Sequence, residues 1–164
     1  MSNEHPSSGF SRANHVGITV SNLEKSIAFY EALTGTKVSN IDEIGGPRMA
    51  QTQGLKDTRI KYANFRLDNI NIDVLEYVLP TPEKTSYQNN QISAMHLCFE
   101  VDDIYEAVKR LKEIGVDPEG EPIIFQESDG LRSGVGTAVA YFRDPDGTNL
   151  EIIAPQGPFK RKNS

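Results

Sequence analysis

Two of the three histidines in the chain, His15 and His96, each open a stretch of alternating small, polar and apolar residues, HVGITV and HLCFEV. Successive side chains of a strand point to opposite faces. Val16, Ile18 and Val20 therefore share one face and His15, Gly17 and Thr19 the other, while Leu97, Phe99 and Val101 oppose His96, Cys98 and Glu100. Two later strands carry acids in the same manner. Ile72 and Val74 in one, and Leu150 and Ile152 in the other, take the apolar side, which leaves Asp73 and Glu151 on the side of the histidines. Two imidazoles and two carboxylates make a ligand set for one divalent metal ion (Ni, Co, Zn, Mn or Fe), because mixed nitrogen and oxygen sites accept all of these. Glu76 is a longer carboxylate three residues beyond Asp73, and it is the alternative fourth ligand if a bulge turns it to the same face. Were Asp73 too short to reach, two His and one carboxylate with open positions would suit Fe(II). Cys98 is expected to be a small buried hydrophobe, and His5 has no assigned role.

An internal repeat positions these residues. Residues 13–35 can be laid on residues 93–115, with His15 on His96 and Gly35 on Gly115, allowing one residue of slack. Residues 66–75 resemble residues 143–153, which puts Asp73 on Glu151. Each copy passes from period-2 alternation to helical spacing, so a strand runs into a helix. In the first copy Ser21 and Glu24 read as a capping box, Leu23, Ile27, Tyr30 and Leu33 form one stripe, and Gly35 is the stop. In the second, Asp102 or Asp103 is the cap, Ile104, Val108 and Leu111 the stripe, and Gly115 the stop. Hairpins turning at Asp68-Asn69 and Asp146-Gly147 are predicted between strands near 59–67 and 70–78, and near 137–143 and 148–154. A further short strand follows each helix, at 36–41 and 122–125.

The organisation expected is a mobile tail at 1–12, a first βαβββ module at 13–80, a linker at 81–91, a second module at 92–155 and a mobile tail at 156–164. Half the chain is too small to bury both faces of its sheet alone, so the two modules should pack together. Unpaired sheet edges and the similarity of the copies also favour pairing between chains, and a homodimer is expected.

The 164 residues are 37% hydrophobic and 24% charged, which excludes collagen-like and wholly disordered chains. A net charge of −6 offers no basic field for a polyanion, so no nucleic acid partner is expected. No apolar run reaches the roughly 20 residues of a bilayer span. With one Cys and no signal-like N-terminus, a cytoplasmic protein without membrane attachment is expected.

Across residues 13–155 the segments NHVGITVSNLEKSIAFYEALTG, MHLCFEVDDI and YFRDPDGTNLEII resemble the vicinal oxygen chelate (VOC) superfamily. This glyoxalase/bleomycin resistance/dioxygenase group includes lactoylglutathione lyase (glyoxalase I), methylmalonyl-CoA epimerase, extradiol dioxygenases and fosfomycin resistance proteins. The resemblance implies an α+β fold of two tandem βαβββ modules forming a cupped mixed sheet around a metal cleft. It carries the ligand set onto His15, His96, Glu151 and Asp73, where family members usually present Glu or Gln at the last position. The implied enzyme is a metal-dependent lyase or isomerase of glyoxalase/epimerase type, acting on a small molecule with adjacent oxygens. It moves a proton next to a metal-chelated carbonyl through an enolate, with Glu151 as the base. An extradiol-type Fe(II) dioxygenase is the runner-up, weakened because SGVGTAVA has no His upstream of the last motif. A metal-free drug-sequestering protein is the third reading, and the intact ligand set argues against it. Many members build the cleft across a dimer interface. Two Gly-rich segments, 44–57 and 127–136, are expected as loops over the site, with Arg48 or Arg132 clamping a substrate carboxylate or phosphate.

Overall fold

The structure is a computed structural model and describes residues 12–85, 87–130 and 132–160. His5, Arg161 and Lys162 lie outside the described residues, as does most of the N-terminal stretch. The chain divides into two compact units that meet between Pro82 and Glu83, inside the segment expected as a linker.

In the first unit β1 (His15–Thr19) leads into α1 (Leu23–Thr34), followed by β2 (Asn40–Gly45), α2 (Pro47–Gln53), β3 (Arg59–Arg66) and β4 (Asn71–Leu79). Its sheet has the order β1-β4-β3-β2, with β1 parallel to β4 and the other pairs antiparallel. The second unit repeats the plan with β5 (His96–Glu100), α3 (Ile104–Glu113), β6 (Ile123–Ile124), β7 (Ala138–Arg143) and β8 (Asn149–Ala154), in the order β5-β8-β7-β6. The protein is thus α+β, with two four-stranded mixed sheets built on one repeated topology.

Helices α1 and α3 each cover one face of their own sheet. In the first unit Tyr30, Phe65, Ile72 and Val74 are fully buried, and the Tyr30 and Phe65 rings lie 6.1 Å apart. In the second, Ile104, Val108 and Leu111 on α3 are buried, as are Phe142, Leu150 and Ile152 on the sheet. Burying each large side chain contributes about 1.5–3 kcal/mol, which fixes the faces that the apolar positions take. The residues between them are left on the helix-free face.

Several local details differ from the sequence expectation. Asn22, not Ser21, caps α1: its Oδ1 accepts the Lys25 N–H at 2.8 Å. A side chain one residue closer satisfies the first-turn donors, so no Ser21-Glu24 box is needed. Helix α3 is capped by Asp103, whose Oδ1 accepts from the Tyr105 and Glu106 N–H groups. The strand expected at 36–41 begins only at Asn40. Glu31 holds the intervening backbone, accepting from the Val38 N–H at 3.0 Å and from Lys37 Nζ at 2.7 Å. The segment at 44–57 is not all loop, since Pro47 opens α2, Ala50 buries against the unit, and Gln53 Nε2 donates to the Tyr77 hydroxyl at 2.8 Å. Segment 127–136 begins with a single 3-10 turn, Glu127–Asp129. The last hairpin is organised by Asp144, whose Oδ1 accepts from both Asp146 and Thr148. Residues 156–160, expected within a tail, belong to the second unit: the Gln156 N–H donates to Thr137 Oγ1 at 2.9 Å, and the Phe159 ring fills the space beside Gly134.

Candidate functional site

Strand register puts the candidate ligands where alternation predicts. In the first unit β1 runs parallel to β4 with Gly17 opposite Asp73, so His15 and Asp73 are diagonal neighbours on the helix-free face. His15 Nε2 stands 3.6 Å from Asp73 Oδ2. In the second unit Cys98 lies opposite Glu151, and His96 Nε2 is 2.9 Å from Glu151 Oε2. Both imidazoles are about half exposed, at 49% and 46%, whereas Glu151 is 8% exposed and Asp73 22%. The structure therefore forms two separate imidazole-carboxylate pairs, His15 with Asp73 in the first unit and His96 with Glu151 in the second. Among the described residues no three or more His, Cys, Asp and Glu side chains gather in one group.

Each pair fits a divalent cation. Adjacent ligands bonded at about 2.0–2.2 Å to one ion stand roughly 3.0–3.5 Å apart, and the observed separations of 2.9 and 3.6 Å bracket that range. The His15 ring is set for this role by Asn14, whose Oδ1 lies 2.8 Å from Nδ1. An amide oxygen only accepts, so this contact is made by an Nδ1–H and leaves Nε2 as the ring nitrogen that faces the Asp73 carboxylate. In the second unit Asn149, the register partner of His96, is buried and donates to the Met95 carbonyl. Its Oδ1 has no hydrogen-bond partner among the described residues.

Two residues that the sequence reading passed over stand across from the carboxylates. Asn64 on β3 faces Asp73, and its Nδ2 donates to Asp73 Oδ1 at 2.6 Å. Tyr141 on β7 faces Glu151 and sets its ring 5.8 Å from that of His96, edge to face. Burial, and then the Glu151 carboxylate, raise the Tyr141 hydroxyl above its ordinary pKa. Counting outward from the two hairpin turns would have located both residues, because antiparallel register follows from the turn. Cys98 is exposed rather than buried in the core. Its sulfur is nonetheless partly desolvated, and that desolvation, then Glu151 and Glu100, push the thiol up to about 12.

Glu76 lies elsewhere. Its Oε2 accepts the backbone N–H of Leu23, the first residue of α1, at 2.6 Å. The register irregularity of β4 falls between the Ile60-Tyr77 and Arg59-Leu79 pairs, beyond Glu76, and so does not turn it over. Its carboxylate complements the positive end of the helix. Glu76→Ala is therefore expected to cost about 1 kcal/mol of stability and leave metal content unchanged, whereas Asp73→Ala should lower metal content. Urea melts and elemental analysis of the two variants check this. Arg48 on α2 and Arg132 after the 3-10 turn are both exposed.

The family model described as Glyoxalase/Bleomycin resistance protein/Dioxygenase superfamily matches residues 12–152. The chain belongs to this superfamily. Within the glyoxalase superfamily it is similar to mitochondrial methylmalonyl-CoA epimerase of Homo sapiens, 30% identical over 125 residues, which cover 70% of this chain. That match spans 65% of the human protein's length, a little under two thirds. It is also similar to lactoylglutathione lyase of Neisseria meningitidis, 28% identical over 142 residues, covering 87% of this chain and 89% of the relative. A glyoxalase family protein of Bacillus cereus shares the fold, with a TM-score of 0.75 at 20% identity over 93% of this chain and 99% of that one. Among the described residues, no helix of this glyoxalase-superfamily member is long and apolar enough to cross a membrane.

Proposed function

We propose that this protein is a divalent-metal-dependent enzyme of glyoxalase/epimerase type that moves a proton at a carbon next to a carbonyl, with His15, Asp73, His96 and Glu151 as the ligands of one ion. The observation that carries the reading is the repetition of one imidazole-carboxylate pair at equivalent positions of the two units. The similarity to proteins named epimerase and lyase supports the reaction class. Held by these residues, a divalent cation supplies a Lewis acid that steadies negative charge on the carbonyl oxygen while the neighbouring C–H bond is broken.

The chain's own groups do the rest. Glu151 takes the proton from the substrate carbon and returns it, from a position mostly shielded from water. His96 faces that carboxylate on one side and the Tyr141 ring lies across from it, which limits the directions in which the carboxylate turns. Asn14 holds the His15 ring and Asn64 holds Asp73. Arg48 and Arg132, exposed on the segments outside the sheets, are the candidates for binding a substrate carboxylate or phosphate. We assign the working form to a cytoplasmic homodimer.

The test is a panel of 2-hydroxy, 2-oxo and acyl-thioester compounds, methylmalonyl-CoA among them, incubated with metal-loaded protein in deuterium oxide. Incorporation of deuterium at the α-carbon is expected for at least one class. Oxygen consumption with catechol-like substrates and no exchange would replace this reading with that of a dioxygenase. Tight binding of an aromatic drug without any turnover would replace it with sequestration.

A further inference from the structure

We infer that Asn64 is a positioning residue for Asp73, fixing the carboxylate so that a single oxygen, Oδ2, is presented to His15 and to the cation. The inference rests on the proposed place of Asp73 in the ligand set. Asn64 sits directly opposite Asp73 in the β3-β4 register, and the 2.6 Å contact from its Nδ2 occupies Oδ1. A carboxylate only accepts, so the amide nitrogen must face Asp73 and the amide oxygen must face away. There it accepts from Asn40 Nδ2 at 3.2 Å, and Asn40 is itself the register partner of Asn64 across β2-β3. Three side chains on three adjacent strands thus run in a row, each setting the orientation of the next. The backbone of Asn64 is held as well, since its carbonyl accepts from both the N–H and the hydroxyl of Ser39, each at 2.9 Å.

The amide row is found in the first unit; at the equivalent place in the second, Tyr141 stands opposite Glu151 and its hydroxyl, not an amide, hydrogen-bonds the carboxylate. The difference follows the length of the acid. Asp is one methylene shorter than Glu, so its carboxylate stays close to the sheet, within reach of a short amide on the neighbouring strand. A hydrogen bond to an ionised acceptor is shorter and stronger than a neutral one, and fixing the carboxylate in advance lowers the ordering cost of binding an ion. Partners that orient ligating groups typically change metal affinity by about 10–100-fold when removed.

Full-length wild type, Asn64→Ala, Asn64→Val, Asp73→Ala and the two double variants are titrated with Mn2+ alone, following the free ion by its paramagnetic resonance signal. Asn64→Ala and Asn64→Val are each expected to weaken Mn2+ binding by about 10–100-fold. Val keeps the strand preference of the position should Ala loosen the sheet. In the Asp73→Ala background the same changes should weaken binding no further, because the amide then has no carboxylate to hold. Equal losses in both backgrounds mark a merely structural role and overturn the inference. Wild-type affinity in the Asn64 variants, alongside weakened binding in Asp73→Ala, overturns it while leaving the metal reading intact. Wild-type affinity in Asp73→Ala removes Asp73 from the set and the inference with it, and absence of saturable Mn2+ binding by the wild type overturns both.

Discussion

Glu151→Gln is expected to slow deuterium exchange at the substrate α-carbon by about 10²–10⁴-fold, the usual contribution of a positioned base and equivalent to roughly 3–5.5 kcal/mol of barrier. Gln has nearly the same shape, so the substitution should fit a side chain that is 8% exposed without opening a cavity. The amide still offers an oxygen toward His96, and the expectation is therefore that metal content falls much less than the exchange rate. That split separates the two roles given to Glu151. A rate within severalfold of wild type would remove Glu151 as the base, and parallel loss of metal and rate would leave it as a ligand only. Exchange is followed by mass spectrometry in deuterium oxide, with elemental analysis on the same samples.

The fold was legible because the repeat and the alternation reinforce each other. Val16, Ile18 and Val20, and Leu97, Phe99 and Val101, are each less exposed than the residues between them, as alternation required. Four of the strands begin or end within one or two residues of their expected limits. What escaped the reading lies where local chemistry competes with pattern. Ser21 and Asn22 are both good caps, and only the geometry of the chain entering α1 decides between them. Residues 36–39 have strand-like composition but run as irregular backbone tied to Glu31, a contact seven residues away for Val38. The helix α2 is short and poorly periodic, and it is secured by a tertiary contact from Gln53 to Tyr77 that no window of sequence contains.

The site was legible as faces and only partly as contacts. Period-2 alternation put His15 with Asp73 and His96 with Glu151, and the two short separations agree with that sorting. Glu76 illustrates the limit. As a candidate ligand it was judged by length, but its partner, the Leu23 N–H at the start of α1, is 53 residues away in sequence. Asn64 and Tyr141 are neither His nor carboxylate, and neither takes part in the alternation that sorts the candidate ligands. Their importance comes from cross-strand register, opposite Asp73 and Glu151.

The second large effect is on the metal itself, because His15 and His96 sit on different units and the account requires both. If one ion is held by the four residues, removing either imidazole should strip it, although each variant keeps one imidazole-carboxylate pair intact. Metal per chain, measured by elemental analysis after loading with Mn2+ or Zn2+ and removal of excess, decides this for wild type, His15→Ala and His96→Ala. About one ion per chain is expected for the wild type, as in closed sites of mixed nitrogen and oxygen ligands, and little or none in either variant. Full stoichiometry retained in His15→Ala or in His96→Ala would contradict it.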